Sequence, residues 1–146
     1  MSAASIEIEI RVGTEIVSQP YILDAAAAKA YREGVESPAR RASHKSIHDD
    51  NDAARNAGFV APIAGGAQTI AVIAQLLADN FGMRFMRGGR LDVALTRPVL
   101  FGDVLISRAR IERVDLDHDR AELNIRVENQ RGENVLAGSA AIRTRE

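Results

Sequence analysis

The chain has 146 residues, enough for one ordinary domain and too few for two of typical size, so a single domain over 1–146 is expected. Lys plus Arg number 19 against 20 Asp plus Glu, a formal net charge of -1, which leaves no electrostatic footprint for nucleic acid or an anionic membrane surface. Cys is absent, which removes disulfides, thiolate metal sites and Cys nucleophiles, and aromatics at 4% without Trp leave little material for a base-stacking platform.

The first five residues carry neither a positive n-region nor an apolar h-region, so a cytoplasmic protein is expected. Ile6 to Val12 alternates apolar and charged residues with period two and reads as an opening strand. Asp24 can cap a short Ala-rich helix over Ala25–Arg32, with Gly34 closing it in the left-handed conformation. From Glu36 to Asn51 the sequence is polar and irregular, and Pro38 argues against helix; a loop this long inside a compact domain is usually functional or disordered. Asp52 can cap one turn of helix over Ala53–Ala57, ended by Gly58.

Ala67–Asn80 is apolar around most of its circumference and reads as a buried central helix, whose most apolar stretch, Thr69–Ala78, is too short to cross a bilayer. Ala67, Ala71, Ala74 and Ala78 form one smooth stripe that would let a twisted sheet approach closely. After Gly88-Gly89 four strands are expected: Arg90–Thr96, Val104–Val114, Arg120–Asn129 and Asn134–Arg143. Tight turns between them allow only antiparallel pairing. The fold class is therefore α+β, an antiparallel sheet wrapped around a central helix.

Several fragments carry a family resemblance: Ser46-Ile47-His48-Asp49-Asp50, Ala53-Ala54, Gly58-Phe59, Pro62 to Gly66, and Thr96 to Val104. In this order and spacing, with the later Asn129 to Glu133 turn and the Val135–Ala140 strand, the chain resembles the MaoC-like hot-dog-fold hydratases and dehydratases from about Tyr31 onward. The resemblance implies reversible addition of water to a trans-2-enoyl thioester on coenzyme A or acyl carrier protein, giving a 3-hydroxyacyl thioester. It also implies a homodimer and no metal or redox cofactor. In that chemistry an Asp and a His share the water, while backbone N–H groups at the start of the central helix polarise the thioester carbonyl.

His48 matches the family histidine, Asp50 the acidic residue two places after it, and Gly66 the glycine opening the central helix. The family Asp lies five places before the His, where this chain has Ser43, and the usual Ala-His-Gly is Ala64-Gly65-Gly66. A shifted alignment sets Glu36 over the carboxylate, with His44 and Asp49 as further possible partners for His48. The catalytic candidates are thus His48, Glu36 and Ser43. Those for binding are Gly65, Gly66 and Asp50, with Arg84 and Arg87, close to Arg90, as cations that could meet phosphates or an acidic carrier; the same arginines also read as a solvated rim.

His118, in the Asp-rich corner 115–119, reads as exposed; the corner lacks the turn glycine and bidentate Glu of a calcium loop, and no metal site is expected. Two alternatives to a hydratase stay open: a non-catalytic acyl-thioester-binding subunit paired with an active homologue, and another hot-dog activity such as thioesterase.

Overall fold

The computed structural model describes residues 8–43 and 45–146. Strands β1 (Glu15–Val17) and β2 (Tyr21–Ile22) are followed by helices α1 (Ala25–Val35), α2 (Pro38–Ser43), α3 (Asn51–Asn56), α4 (Gly66–Phe81) and α5 (Met83–Met86). Strands β3 (Arg90–Leu95), β4 (Val104–Asp115), β5 (Arg120–Glu128) and β6 (Asn134–Ile142) complete the chain. All pairs are antiparallel in the order β1-β4-β5-β6-β3, with β2 also on β4.

The sheet curves around α4, whose Ile73, Leu76, Leu77 and Phe81 join Leu105, Ile111, Leu123, Ile125 and Leu136 in one core. This is the expected α+β hot-dog arrangement. Each of these side chains contributes roughly 1.5–3 kcal/mol by leaving water.

Four local expectations are corrected. Within the described part of Ile6–Val12, Ile8 and Ile10 do pack on the core, but the residues form no ladder, because Gly13 (φ +91°) turns the chain; backbone bonds to β4 start with Gly13 and Thr14 on Ile111, and the strand register runs from Glu15. Helix α1 runs through Gly34 to Val35 and closes on extended Glu36, whose N–H donates to the Arg32 carbonyl. Pro38 opens α2 instead of preventing it, since a first-turn residue needs no N–H acceptor. Asp50, two residues earlier than Asp52, caps α3 through Oδ1 and the Ala53 N–H at 2.8 Å.

The alanine stripe is a fifth correction. Ala67 and Ala71 are exposed and Ala74 and Ala78 half-buried, while the bulkier Thr69, Ile73, Leu76 and Leu77 face the sheet. Burying large aliphatic groups gains more than close approach of small ones, so the large face wins. Among the described residues no helix is long and apolar enough to cross a membrane.

The corner after β4 turns at Asp119, at φ +51°. Its carboxylate gathers the C-terminal segment: Oδ2 accepts from Arg143 at 2.8 Å, and Oδ1 accepts from the Thr144 N–H and hydroxyl and the Arg145 N–H. The Arg143 hydrogen bond above all, with those from Thr144 and Arg145, holds this carboxyl well below the usual carboxylate range. A depressed folded value stabilises above the unfolded value and is lost as pH falls towards the folded one. Asp119→Asn keeps a residue that tolerates positive φ and removes the charge. The melting-temperature gap between wild type and this variant should be steady from neutral pH to about 5 and shrink below about pH 4. A gap independent of pH would show that charge contributes nothing at this corner.

Candidate functional site

His48 sits on a turn between α2 and α3 that is tied down on both sides. The Asp49 and Asp50 N–H groups donate to the Ser46 carbonyl, and the Ser46 N–H donates to Asp49 Oδ1 at 2.8 Å. The Ile63 N–H donates to the Ile47 carbonyl, and the Ala64 N–H to that of Val99, so the turn, the run into α4 and the segment after β3 form one platform. On it His48 Nδ1 lies 2.8 Å from the Ile63 carbonyl oxygen. A carbonyl only accepts, so Nδ1 carries the proton and Nε2 presents a lone pair in the neutral ring.

The first turn of α4 lies beside this ring. Gly65 precedes it in an extended conformation and no side chain caps the helix; the Gln68 N–H already donates to the Gly65 carbonyl at 3.0 Å, which leaves the N–H groups of Gly66 and Ala67 at the helix start. These N–H groups and the positive end of the helix dipole suit a developing oxyanion. A Cβ on Gly66 would come within 2.6 Å of Leu95 Cδ1, so a side chain here would crowd the strand-side wall.

Two pockets meet at His48, Ile63, Ala64 and Gly66. The helix-side pocket, about 260 Å³, continues between α1 and α4 past Tyr31, Glu36, Gln68 and Phe101. The strand-side pocket, about 280 Å³, continues past Phe59, Leu95, Arg97 and Pro98.

The structure brings His48, Gly65, Gly66 and Glu36 to the helix-side pocket. Glu36 accepts from Arg32 Nη2 at 3.0 Å, and Arg32 also donates to Asp49, so one guanidinium joins the two carboxylates. Burial opposes charge at Asp49, but the Ser46 N–H and Arg32 outweigh it and hold the carboxyl below its ordinary range. Burial likewise opposes the charge of Arg32, and its bonds to Glu36 and Asp49 more than offset it, raising its pKa. Asp49 lines neither pocket.

The remaining candidates lie elsewhere. Ser43 ends α2 on the surface, its hydroxyl 3.4 Å from the Arg40 carbonyl oxygen, so the family's Asp position is outside both pockets. Asp50 is occupied as the α3 cap and pairs with Lys45, 3.4 Å away. Arg84 lies on α5 and Arg87 just after it, at the opposite end of the 16-residue α4, roughly 24 Å along its axis from Gly66. Arg90 lines a separate surface depression with Arg120 and Glu122.

His44 is outside the described residues. His118 is exposed, its Nδ1 3.0 Å from Asp115. Among the described residues no group of His, Asp and Glu could hold a metal ion.

Tyr31, Arg32, Gln68 and Phe101 were not singled out for this site. Only Arg32 had a local signal, its i,i+4 spacing to Glu36.

The sequence matches the family model described as the MaoC like domain over residues 39–134. This chain belongs to the MaoC-like dehydratase family. The match contains Ser43, His48, Gly65 and Gly66 and begins after Glu36.

Among solved structures, a MaoC-like dehydratase from Rhodospirillum rubrum is 27% identical, with 90% of each chain covered and a TM-score of 0.67. The (R)-hydratase from A. caviae involved in PHA biosynthesis is 20% identical, covering 97% of this chain and 98% of that one, at a TM-score of 0.69. A chain of the HadBC (3R-hydroxyacyl-ACP dehydratase) complex from Mycobacterium tuberculosis is 19% identical, covering 94% and 98%, at 0.65. The last two share the MaoC-like fold. No curated protein sequence matches the chain.

Proposed function

We propose that this MaoC-like chain interconverts trans-2-enoyl and 3-hydroxyacyl thioesters, carried on coenzyme A or acyl carrier protein, by adding and removing water. The observation that carries the reading is the His48 ring, whose Nδ1–H is given to the Ile63 carbonyl at 2.8 Å in a pocket that also contains the uncapped glycine start of α4. The names of the neighbouring hydratases and dehydratases support the same chemistry.

In hydration, Nε2 takes a proton from water as the water oxygen bonds to C3. The C2–C3 π electrons move toward the thioester, whose oxygen gains charge facing the first N–H groups of α4. C2 then takes that proton back from the imidazolium, with the Glu36 carboxylate orienting the water, and the reverse steps eliminate water. Glu36 is the carboxylate of choice because it shares the pocket with His48, while Ser43 and Asp49 do not line it. Among the described residues the edge strand β3 pairs only with β6 through its ladder, and an open edge of this kind suits a homodimer.

The test is loss of enoyl absorbance when trans-2-butenoyl-CoA is added to purified protein. Saturable turnover is expected, with Glu36→Gln slower by about 10²–10⁴-fold in kcat. An unaffected Glu36→Gln would remove Glu36 from the reaction and leave His48 standing. Binding without turnover by the wild type would favour the acyl-thioester-binding subunit instead.

A further inference from the structure

Gln68 lines the helix-side pocket and is also one wall of a groove of about 550 Å³ that runs along the exposed side of α4. That groove exists because the edge segment detaches between β1 and β2. The Ser18 N–H still donates to the Ser107 carbonyl, but Pro20 has no N–H, and pairing on β4 resumes only at Tyr21. Gln68 is 3% exposed, and its Nε2 donates to the Tyr21 hydroxyl at 3.4 Å, so a single long hydrogen bond spans the wall between pocket and groove.

Charge distinguishes the two ways out of the His48 site. The strand-side pocket adjoins, through Phe59, Arg97 and Pro98, a surface depression that also contains Arg131 and Glu133, paired at 2.9 Å, so that route offers a phosphorylated carrier Arg97 beside an ion pair. Among the described residues no Lys or Arg lines the groove beyond Gln68; the one charged residue among them is Asp79, and Val17, Ala71, Val72 and Leu76 supply apolar wall. A phosphate is repelled there and a hydrocarbon tail is not. The 260 Å³ pocket alone is below the roughly 300–1,000 Å³ of ordinary ligand sites, whereas pocket and groove together fall within that range.

We propose that Gln68 and Tyr21 form the partition that sets acyl-chain length: they close the helix-side pocket to all but short enoyl thioesters, and the groove behind them is the path a longer tail takes when the partition is removed. The proposal rests on the thioester reading above for the identity of the ligand.

The experiment compares trans-2-decenoyl-CoA with trans-2-butenoyl-CoA as substrates, and decanoyl-CoA with butyryl-CoA as ligands in titration calorimetry. Wild type should prefer the four-carbon compounds. Gln68→Ala should raise the ten-to-four-carbon ratio of kcat/KM, and of affinity, by about tenfold or more, and Tyr21→Phe should move both ratios the same way by less. A merely structural loss lowers both chain lengths together and leaves the ratios alone.

Tyr21→Phe, on a partly exposed ring, decides the matter where Gln68→Ala does not fold. If the wild type turns over neither enoyl-CoA, the hydratase reading fails, and the calorimetric ratio still decides the partition. Ratios unchanged within about twofold in both variants, or a wild type that already prefers ten carbons, would overturn it.

Discussion

His48→Ala is expected to lower hydration of trans-2-butenoyl-CoA by about 10²–10⁴-fold in kcat. The melting temperature should stay within a few degrees of wild type, because the turn that carries the ring keeps its own bonds. Ser46, Asp49, Asp50, Ile47 and Ile63 hold the backbone without the imidazole. His48→Asn separates two parts of the effect. Its side-chain amide can still donate to the Ile63 carbonyl, but it supplies no base, so activity should be lost as in the alanine variant. Hydration at the wild-type rate by either protein would remove His48 from the chemistry.

The largest expected loss of stability comes from Gly138→Val. Gly138 lies in the middle of β6 opposite Val93, and a Cβ there would stand 2.1 Å from the Asp92 carbonyl oxygen and 2.8 Å from Val93 Cα. Those atoms are backbone of the neighbouring strand and cannot rotate away, so β3 must move. Overpacking of this kind costs roughly 1–3 kcal/mol and more where backbone is displaced. A loss of at least about 3 kcal/mol in urea unfolding is expected for valine, with a smaller loss for alanine. Because Leu95 ends the same strand, Thr96 follows it, and both line the strand-side pocket, affinity for acyl-CoA should fall as well. A Gly138→Val protein as stable as wild type would mean that β3 is not held at this spacing.

The readings that held rest on periodic burial or on a glycine in a forced turn. β4 and β5 alternate buried and more open positions, and all four later strands lie within two residues of their expected ends. Gly132 and Gly58 turn at positive φ where the sequence placed turns.

The misreadings share a cause, which is that local pattern does not say what lies opposite. Ile6–Val12 has the alternation of a strand, yet the positive φ of Gly13 sends pairing to the less regular Glu15–Val17. The alanine stripe and the leucine face of α4 are both regular, and only the volume available under the sheet selects between them. Pro38 carries two meanings, breaker inside a helix and starter at its first turn, and the residues after it decide.

In the site, His48, Gly65 and Gly66 were legible because they are close in sequence to a helix start that can be recognised. Glu36 emerged only through a shifted alignment, since the family match begins after it. Gln68 and Tyr21 are 47 positions apart and meet through tertiary packing alone, so no spacing announces them. Arg84 and Arg87 drew attention as clustered cations, but α4 carries them to the opposite end from His48.

The central claim is that the fold itself commits His48 Nδ1–H to the Ile63 carbonyl and leaves Nε2 as the base. Nitrogen-15 NMR of the imidazole at alkaline pH reads this directly. A protonated Nδ1 with a bare Nε2 is the expected result, and a ring carrying its proton mainly on Nε2 would contradict it.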